Sequence, residues 1–164
     1  MNRKTCIINS RGVTLVELII VVSIIAILAV ALGFSFQGWV GGYKIESQTK
    51  EMYVDLMNAR ARAMQRNRAH FVVVTANNYQ IFEDSNENNL NDDAALPGWA
   101  TPKALQYAVA SGTGTVTMST RGLVDPNCTI SFNIGTNNPD YDCIVLLDTK
   151  INMGQMSGGT CVAK

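Results

Sequence analysis

The chain has 164 residues, with 13 basic and 13 acidic side chains, so its formal net charge at pH 7 is zero. A neutral chain lacks the strongly basic composition typical of nucleic-acid-binding proteins, although a local basic patch remains compatible with it. One histidine and four cysteines leave few residues for a His/Cys metal set. The length suits one membrane helix and one domain that buries its own core.

An apolar run dominates the N-terminal part of the chain. Residues 18–36 carry no charged side chain, and Ser23 and Ser35 are their only polar side chains. These residues reach roughly 28 Å as a helix, which is enough to cross the core of a bilayer. The run therefore predicts the transmembrane half of a helix over residues 13–36. Its orientation, with the N-terminus in the cytoplasm, follows from the basic residues before it, which are Arg3, Lys4 and Arg11.

Glu17 stands at the start of this run, and an ionisable residue in an apolar segment is costly enough to indicate a function. Two simpler interpretations exist. Ala29-Val30-Ala31 could serve as a secretory cleavage site, which would make a secreted protein. A plain signal anchor would explain the helix but gives Glu17 no role.

The junction from Gly12 through Val13-Thr14-Leu15-Val16-Glu17 resembles the leader junction of type IV pilins and type II secretion pseudopilins. The usual family pattern is Gly followed by Phe-Thr-Leu-Ile-Glu, so this chain departs from it at Val13 and Val16. The resemblance implies that a prepilin peptidase removes residues 1–12 after Gly12, and that the new terminus at Val13 is methylated. It also implies assembly with other pilin or pseudopilin subunits.

Glu17 then has a physical role. In an apolar environment its carboxylate needs a partner, and the amino terminus of another subunit is a positive charge at the right depth. Such a pair would set the axial register between neighbouring helices, as a buried polar residue does in a coiled coil. We therefore predict an assembly role for Glu17.

Removal of the leader changes the remaining chain. Three of the 13 basic residues leave with it, so ten basic side chains face 13 acidic ones, and the net charge becomes about −3. Cys6 leaves as well.

Residues 37–67 predict the second, amphipathic half of the helix. Gly38, Gly41 and Gly42 are expected to loosen or bend it. Beyond them an apolar stripe at steps of three and four is expected to be covered by a sheet. Its members are Ile45, Thr49, Met52, Leu56, Ala59 and Ala63.

The helix end from Asn58 to Arg68 alternates small residues with Arg, and in this it resembles the GspH/FimT subfamily of minor pilins. Arg62 and Arg66 share one helix face, whereas Arg60 points well away, so the arginines do not form a single basic stripe. A solvated helix end with cations near the negative end of the helix dipole explains them without a ligand. Arg62 and Arg66 remain candidate DNA contacts.

Residues 68–164 predict a β-rich domain in the periplasm or outside the cell. The helix followed by short strands predicts an α+β, pilin-like fold in which an antiparallel sheet packs on one long helix. His70, the single histidine, starts a strand with no Cys or carboxylate next to it, so we expect a structural role. The predicted strands cover residues 70–75, 79–82, 104–109, 115–119, 129–133 and 143–148.

The loop after the second strand resembles the first half of a calcium-binding loop. Its candidate ligands are Asp84, Asn86, Asn88, Leu90 and Asp92. Asn89 takes the place of the usual Gly and tolerates its left-handed conformation. Ala95 occupies the twelfth position, where a bidentate Glu is normal, so a solvated loop without calcium is the competing interpretation.

Cys128, Cys143 and Cys161 remain after processing, in an oxidising compartment if the predicted topology holds. An odd number leaves one thiol free or paired between molecules. A Cys143–Cys161 bond resembles the C-terminal disulfides of pilins, and a Cys128–Cys143 bond competes with it.

Function follows from the resemblance. FimT-like DNA-binding minor pilins carry a C-terminal Gly-Arg-x-Arg element, but here only Lys150 remains, close to Asp148. Phosphate binding needs several cations acting together, so DNA capture ranks below a structural role. A membrane-anchored periplasmic enzyme is the alternative from another class, although no nucleophile–base pair, phosphate loop or metal set supports it. We predict a non-enzymatic minor pilin or pseudopilin, held in the inner membrane by a single pass and assembled into a pilus or pseudopilus.

Overall fold

The computed structural model describes residues 13–164, except for the side chains of residues 31–38. The chain divides into two compact units, one ending at Gln37 and the other covering Gly38–Lys164. One helix, α1, covers Leu15–Arg66 and so contributes to both. Gly12 and the predicted leader, with Cys6, lie outside the described residues.

The first unit contains the apolar start of α1. Its large apolar side chains between residues 13 and 30 are all between 49% and 75% exposed. Ser23 donates its hydroxyl hydrogen to the carbonyl oxygen of Ile19, 2.7 Å away within the helix. Over residues 13–30 and 39–164, no helix combines the length and the hydropathy needed to cross a membrane.

The second unit begins with the amphipathic part of α1, and the predicted buried stripe is confirmed. All six of its side chains are at most 1% exposed, and most of them join the hydrophobic core. The hydroxyl of Thr49, the one polar member, donates to the carbonyl oxygen of Ile45. The helix ends at Arg66, one residue before the predicted end, and Asn67 follows with φ 51°.

Two glycines of α1, Gly41 and Gly42, serve a purpose that was not predicted. The helix assignment is continuous from residue 38 to 42. A Cβ atom at Gly41 would overlap the side-chain amide of Asn137, and one at Gly42 would contact Pro139. These glycines therefore admit the loop of residues 135–139 against the helix surface.

One five-stranded antiparallel sheet, sheet A, has the order β3-β2-β1-β5-β6. Its central strand β1 pairs with β2 through Val72↔Ile81 and with β5 through Val72↔Val116. The strands are β1 (His70–Val74), β2 (Asn78–Glu83), β3 (Lys103–Ala104), β5 (Gly114–Met118) and β6 (Val124–Asp125).

A second five-stranded antiparallel sheet, sheet B, has the order β10-β9-β8-β7-β4. Its registers include Ile130↔Ile144 between β7 and β8 and Leu146↔Ile151 between β8 and β9. The strands are β4 (Val109–Ser111), β7 (Cys128–Phe132), β8 (Cys143–Leu147), β9 (Lys150–Ser157) and β10 (Thr160–Ala163).

Both sheets and the helix share one core. Met52 and Leu56 of α1 belong to the same buried cluster as Val72 of sheet A and Ile144 of sheet B. The backbone N–H of Val124 also donates to the carbonyl oxygen of Asp148 at 2.9 Å, which joins the two sheets at one edge. The predicted α+β fold with an antiparallel sheet on one long helix is confirmed, with two sheets in place of one.

One strand prediction needs correction, and three strands were not predicted. The predicted strand at residues 104–109 is wrong as a single element, because its ends belong to different sheets, β3 in sheet A and β4 in sheet B. The prediction also lacked β6, β9 and β10. The remaining predicted strands agree with β1, β2, β5, β7 and β8 to within two residues at each end.

Candidate functional site

The start of α1 is built by Thr14, which caps the helix. The backbone N–H of Glu17 donates to the Thr14 hydroxyl at 3.3 Å, and the N–H of Leu18 donates to the Thr14 carbonyl oxygen. Thr-x-x-Glu is the sequence of a capping box, and the acidic residue also lies at the positive end of the helix dipole. This second role of the motif was not predicted, although the spacing of Thr14 and Glu17 indicates it.

The Glu17 side chain is exposed and has no side-chain hydrogen bond or ion pair within the described residues. Val13, the predicted methylation site, is 69% exposed. A carboxylate without a partner in the described part of the chain is therefore presented on a helix surface that is apolar up to residue 30, apart from Ser23. Such a group suits an intermolecular ion pair better than an intramolecular one.

The three candidate DNA contacts have different surroundings. Arg66 Nη1 lies 2.7 Å from the buried carboxylate of Glu83, which also forms an ion pair with Arg68 at 3.7 Å. Arg62 lines a small cavity with Asp55 and Trp99. Lys150 belongs to sheet B and faces Leu147 across the β8–β9 hairpin. The structure brings Arg62 and Arg66 to the end of α1, and Lys150 lies on a different element.

The candidate calcium ligands do lie in one loop. Asp84 is 2% exposed and accepts backbone N–H groups from Asn88 at 3.1 Å and Asn89 at 2.9 Å. The side-chain amides of Asn86 and Asn88 donate to the carboxylate of Asp92. Asn89 has φ 59°, which is the left-handed conformation predicted for it.

Through these hydrogen bonds, the carboxylate oxygens of Asp84 and Asp92 have partners within the loop itself. Over residues 13–30 and 39–164, no group of three or more His, Cys, Asp or Glu side chains is arranged to hold a metal ion. Calcium binding stays a prediction, and thermal melting of the protein in millimolar calcium tests it.

The disulfide joins Cys143 and Cys161, as the pilin resemblance implied. It connects β8 with β10 across the intervening strand β9, at the level of Gly154. Cys128 is free and half-buried, and burial raises the pKa of its thiol. The competing Cys128–Cys143 bond is not formed.

A polar cluster between α1 and sheet A was not predicted. Lys103 Nζ lies 2.8 Å from Glu51 Oε1 and 2.7 Å from Asp55 Oδ2, and the Tyr79 hydroxyl donates to the same Asp55 oxygen. The Lys103 ammonium also lies 5.6 Å from the centre of the Trp99 ring. Burial and the bond to Asp55 raise the pKa of Tyr79. Burial lowers the pKa of Lys103, but the bonds to Asp55 and Glu51 outweigh it and raise the pKa overall.

Two observations define the class of this protein. A long helix begins with an exposed carboxylate on an apolar surface, and a two-sheet antiparallel domain packs on the later part of that helix. This combination is that of pilin-like filament subunits.

Comparison with known families agrees with this class. The prokaryotic N-terminal methylation motif matches residues 8–33, and the family described as type II transport protein GspH matches residues 48–149, more than half of the chain. The chain belongs to the GspH family, and it is a minor pilin or pseudopilin of type II secretion or type IV pili. Comparison with curated proteins and with solved structures gave no match.

Membership of this family implies a structural role and a membrane anchor. GspH proteins and pilins are structural, non-enzymatic proteins that are anchored in a membrane through the N-terminal helix. They are processed by a prepilin peptidase and assemble with other pilin or pseudopilin subunits.

Proposed function

We propose that this protein is cleaved after Gly12, methylated at Val13, and held in the inner membrane by a single pass until it enters a pilus or pseudopilus. The observation that carries the proposal is Glu17, which is an exposed carboxylate near the start of α1, where the other side chains up to residue 30 are apolar apart from Ser23. The methylation motif matched over residues 8–33 supports the same junction.

The apolar surface of the first unit supports membrane storage. A helix that is apolar on all sides is stable only when lipid or protein covers it. Ser23 satisfies its hydroxyl within the helix, so it leaves no unpaired donor in an apolar medium. The basic residues before the run favour a cytoplasmic N-terminus, which places the domain of residues 68–164 in the periplasm.

The charge of Glu17 supports assembly through the helix. Since a lone carboxylate in a low-dielectric medium is costly, pairing with the amino terminus of a neighbouring subunit would stabilise the packed arrangement. Cleavage after Gly12 creates that amino terminus. Processing and assembly are therefore linked through Val13 and Glu17.

The experiment is co-expression of the full chain with a prepilin peptidase, followed by intact-mass measurement. We expect a mature form that begins at Val13 and carries one additional methyl group. A Gly12→Val variant is expected to keep its leader, whereas the matched Ser10→Val variant is expected to be processed normally. Cleavage near Ala31 would contradict the proposal and would favour the secreted alternative.

A further inference from the structure

A mixed apolar and cationic surface lies beside the C-terminal part of α1, on residues that neither the processing junction nor the core uses. Met57 and Met64 of α1 are 39% and 49% exposed, and Leu123 in the turn between β5 and β6 is 41% exposed. Arg60 lies between the two methionines on the helix, and Arg121 lies in the same turn as Leu123. We call these five residues the Arg60 surface.

Gly122 shows that these two segments form one continuous surface. A Cβ atom at Gly122 would lie 2.6 Å from Met64 Sδ and 3.3 Å from Arg60 Nε. The turn backbone therefore packs directly on the two helix side chains, with Arg121 and Leu123 on either side of the contact. The turn is itself closed by a bond from the Gly122 N–H to the Ser119 carbonyl oxygen at 2.8 Å.

The charges of this surface are uncompensated. Arg60 Nε is buried and has no hydrogen-bond partner among residues 13–30 and 39–164. Within the described residues neither Arg60 nor Arg121 forms an ion pair, whereas several other cations of the domain do. The paired cations are Lys50, Arg66, Arg68, Lys103 and Lys164.

We propose that the Arg60 surface docks an acidic segment of another subunit of the same assembly, in which carboxylates stand next to apolar side chains. The terminal nitrogens of the planar Arg60 guanidinium, which are not among its buried atoms, can donate two hydrogen bonds to one carboxylate. Arg and Met are enriched in protein interfaces, and Met side chains adapt their shape to a partner. The inference rests on the proposed function, because the partner is another subunit.

The composition of the surface favours a protein over a nucleic acid. Three of its five residues are apolar, whereas non-specific phosphate binding needs several cations that act together. At the junction of the two sheets, the β8–β9 hairpin that carries Lys150 also carries Asp148, whose carbonyl oxygen accepts from Val124. An acidic protein segment matches both the charge and the apolar content of the surface.

The test is photo-crosslinking of the full chain in cells that contain the other subunits of its assembly. The photoreactive amino acid p-benzoylphenylalanine replaces Leu123, and mass spectrometry identifies the attached peptide. We expect an adduct with one other subunit at a peptide that contains Asp or Glu. The same amino acid at Leu90, which is 60% exposed in the acidic loop, is the matched control.

Charge reversal then tests the arginines. We expect the double variant Arg60→Glu, Arg121→Glu to lower the adduct yield by about tenfold, as for an interface hot spot. Lys44→Glu with Arg62→Glu removes two cations that are also unpaired but lie outside this surface, and it is expected to leave the yield unchanged. Replacing the crosslinked acidic residue of the partner with Lys is expected to restore the yield. If the double Glu variant has a lowered melting temperature, the double variant Arg60→Gln, Arg121→Gln repeats the test without reversing the charges.

The outcomes separate this inference from the proposed function. Three results would overturn the inference, even when the mature form is present in filaments. The adduct yield at Leu123 could be no higher than at the Leu90 control, charge reversal could leave the yield unchanged, or nuclease could remove the adduct. An intact adduct on a chain that keeps its leader supports the inference and overturns only the proposed processing.

Discussion

His70 lies at the start of β1 with no exposed surface, and only one of its ring nitrogens has a partner. Nδ1 lies 3.1 Å from the carbonyl oxygen of Arg68, so it carries the proton and donates, and Nε2 is left as a buried acceptor without a partner. Burial lowers the pKa of His70 below 6.5, and nearby Arg66 and Arg62 act in the same direction. The Arg68 carbonyl and Glu83 favour the proton but do not outweigh burial.

Domain stability should therefore fall in mild acid. In the unfolded chain His70 takes up a proton near pH 6.5, whereas in the folded domain it stays neutral. The contribution of neutral His70 to the free energy of unfolding is therefore complete above that pH and is lost as the pH falls below it. We expect a loss of up to about 1.4 kcal/mol per pH unit. Urea unfolding at several pH values measures it, and His70→Asn, which keeps a donor at the Nδ1 position, should show a smaller loss. Equal slopes for the two proteins would contradict the prediction.

Gly154 illustrates how one missing side chain permits a covalent bond. It pairs with Cys143 on one side and with Ala163 on the other, so the disulfide passes over it. A Cβ atom there would meet the Val162 carbonyl oxygen and would lie 3.0 Å from Cys161 Sγ. The glycine is required by this close approach, since neither backbone can move without breaking the ladder.

We expect Gly154→Ala to destabilise the domain by about 1–3 kcal/mol, because the added methyl group overpacks the strand crossing. It should also increase the fraction of molecules with unpaired Cys143 and Cys161. Thermal melting and alkylation of free thiols measure the two effects. Ser157→Ala on the same strand is the control, and a fully oxidised Gly154→Ala protein with an unchanged melting temperature would refute this account.

At the scale of elements, the cluster around Lys103 fastens a very short strand to the helix. β3 has two residues and pairs only with β2, so its backbone ladder contributes little. Lys103 adds ion pairs to Glu51 and Asp55 on α1, and Asp55 in turn accepts from Tyr79 on β2. Three elements therefore meet at one carboxylate that is only partly exposed.

Lys103→Met keeps the length of the side chain but removes these ion pairs. We expect a loss of about 1–2 kcal/mol, since the pairs are partly shielded from water and Asp55 keeps only its bond from Tyr79. Chemical unfolding measures it. Lys150→Met, which removes an exposed lysine without an ion pair, should change stability by less than about 0.5 kcal/mol. Similar losses in the two variants would show that the cluster contributes nothing specific.

Sequence patterns predicted the helix and those strands whose own residues favour that secondary structure. The buried stripe of α1 follows from its spacing, and β1, β2, β7 and β8 follow from β-branched and aromatic runs. β9 contains Lys, Asn, Gly, Gln and two Met residues, which favour no strand by themselves. It forms because β8 and β10 pair with it on both sides. The polar cluster at Lys103 could not be predicted either, because its members are spread over 52 residues of sequence, from Glu51 to Lys103.

At the scale of the whole molecule, the proposed role of Glu17 is to link the processed terminus to the filament. We expect Glu17→Leu to be processed and to remain in the membrane fraction, but its recovery in sheared filaments should fall by about tenfold or more, because the intermolecular ion pair is lost. Glu17→Asp should retain part of the recovery.

Quantitative proteomics of the sheared fraction measures this loss. Glu87→Leu, which removes a 71% exposed acid from the loop after β2, is the matched control and should assemble normally. Normal incorporation of Glu17→Leu would exclude an assembly role for this carboxylate.

The processing junction was predictable because six consecutive residues carry it. The Arg60 surface was not, because its parts come from a helix and a turn about 60 residues apart and meet only through packing at Gly122. The helical spacing in the sequence indicates that Arg60 lies on a different helix face from Arg62 and Arg66. It does not indicate that the turn around Gly122 packs against Arg60. Contacts between distant segments are the part of such a site that one sequence does not reveal.

The position of β4 has a consequence for how the domain folds. The chain leaves sheet A after β3, places β4 at the edge of sheet B beside β7, and returns to sheet A with β5. Sheet A takes its strands from residues 70–125 and sheet B takes its strands from residues 109–163. Because these two segments overlap in the chain, the two sheets should form and unfold in one cooperative transition. A subunit that translocates through a membrane before folding would thus expose no independently stable fragment, and proteolysis should yield either the intact domain or small peptides.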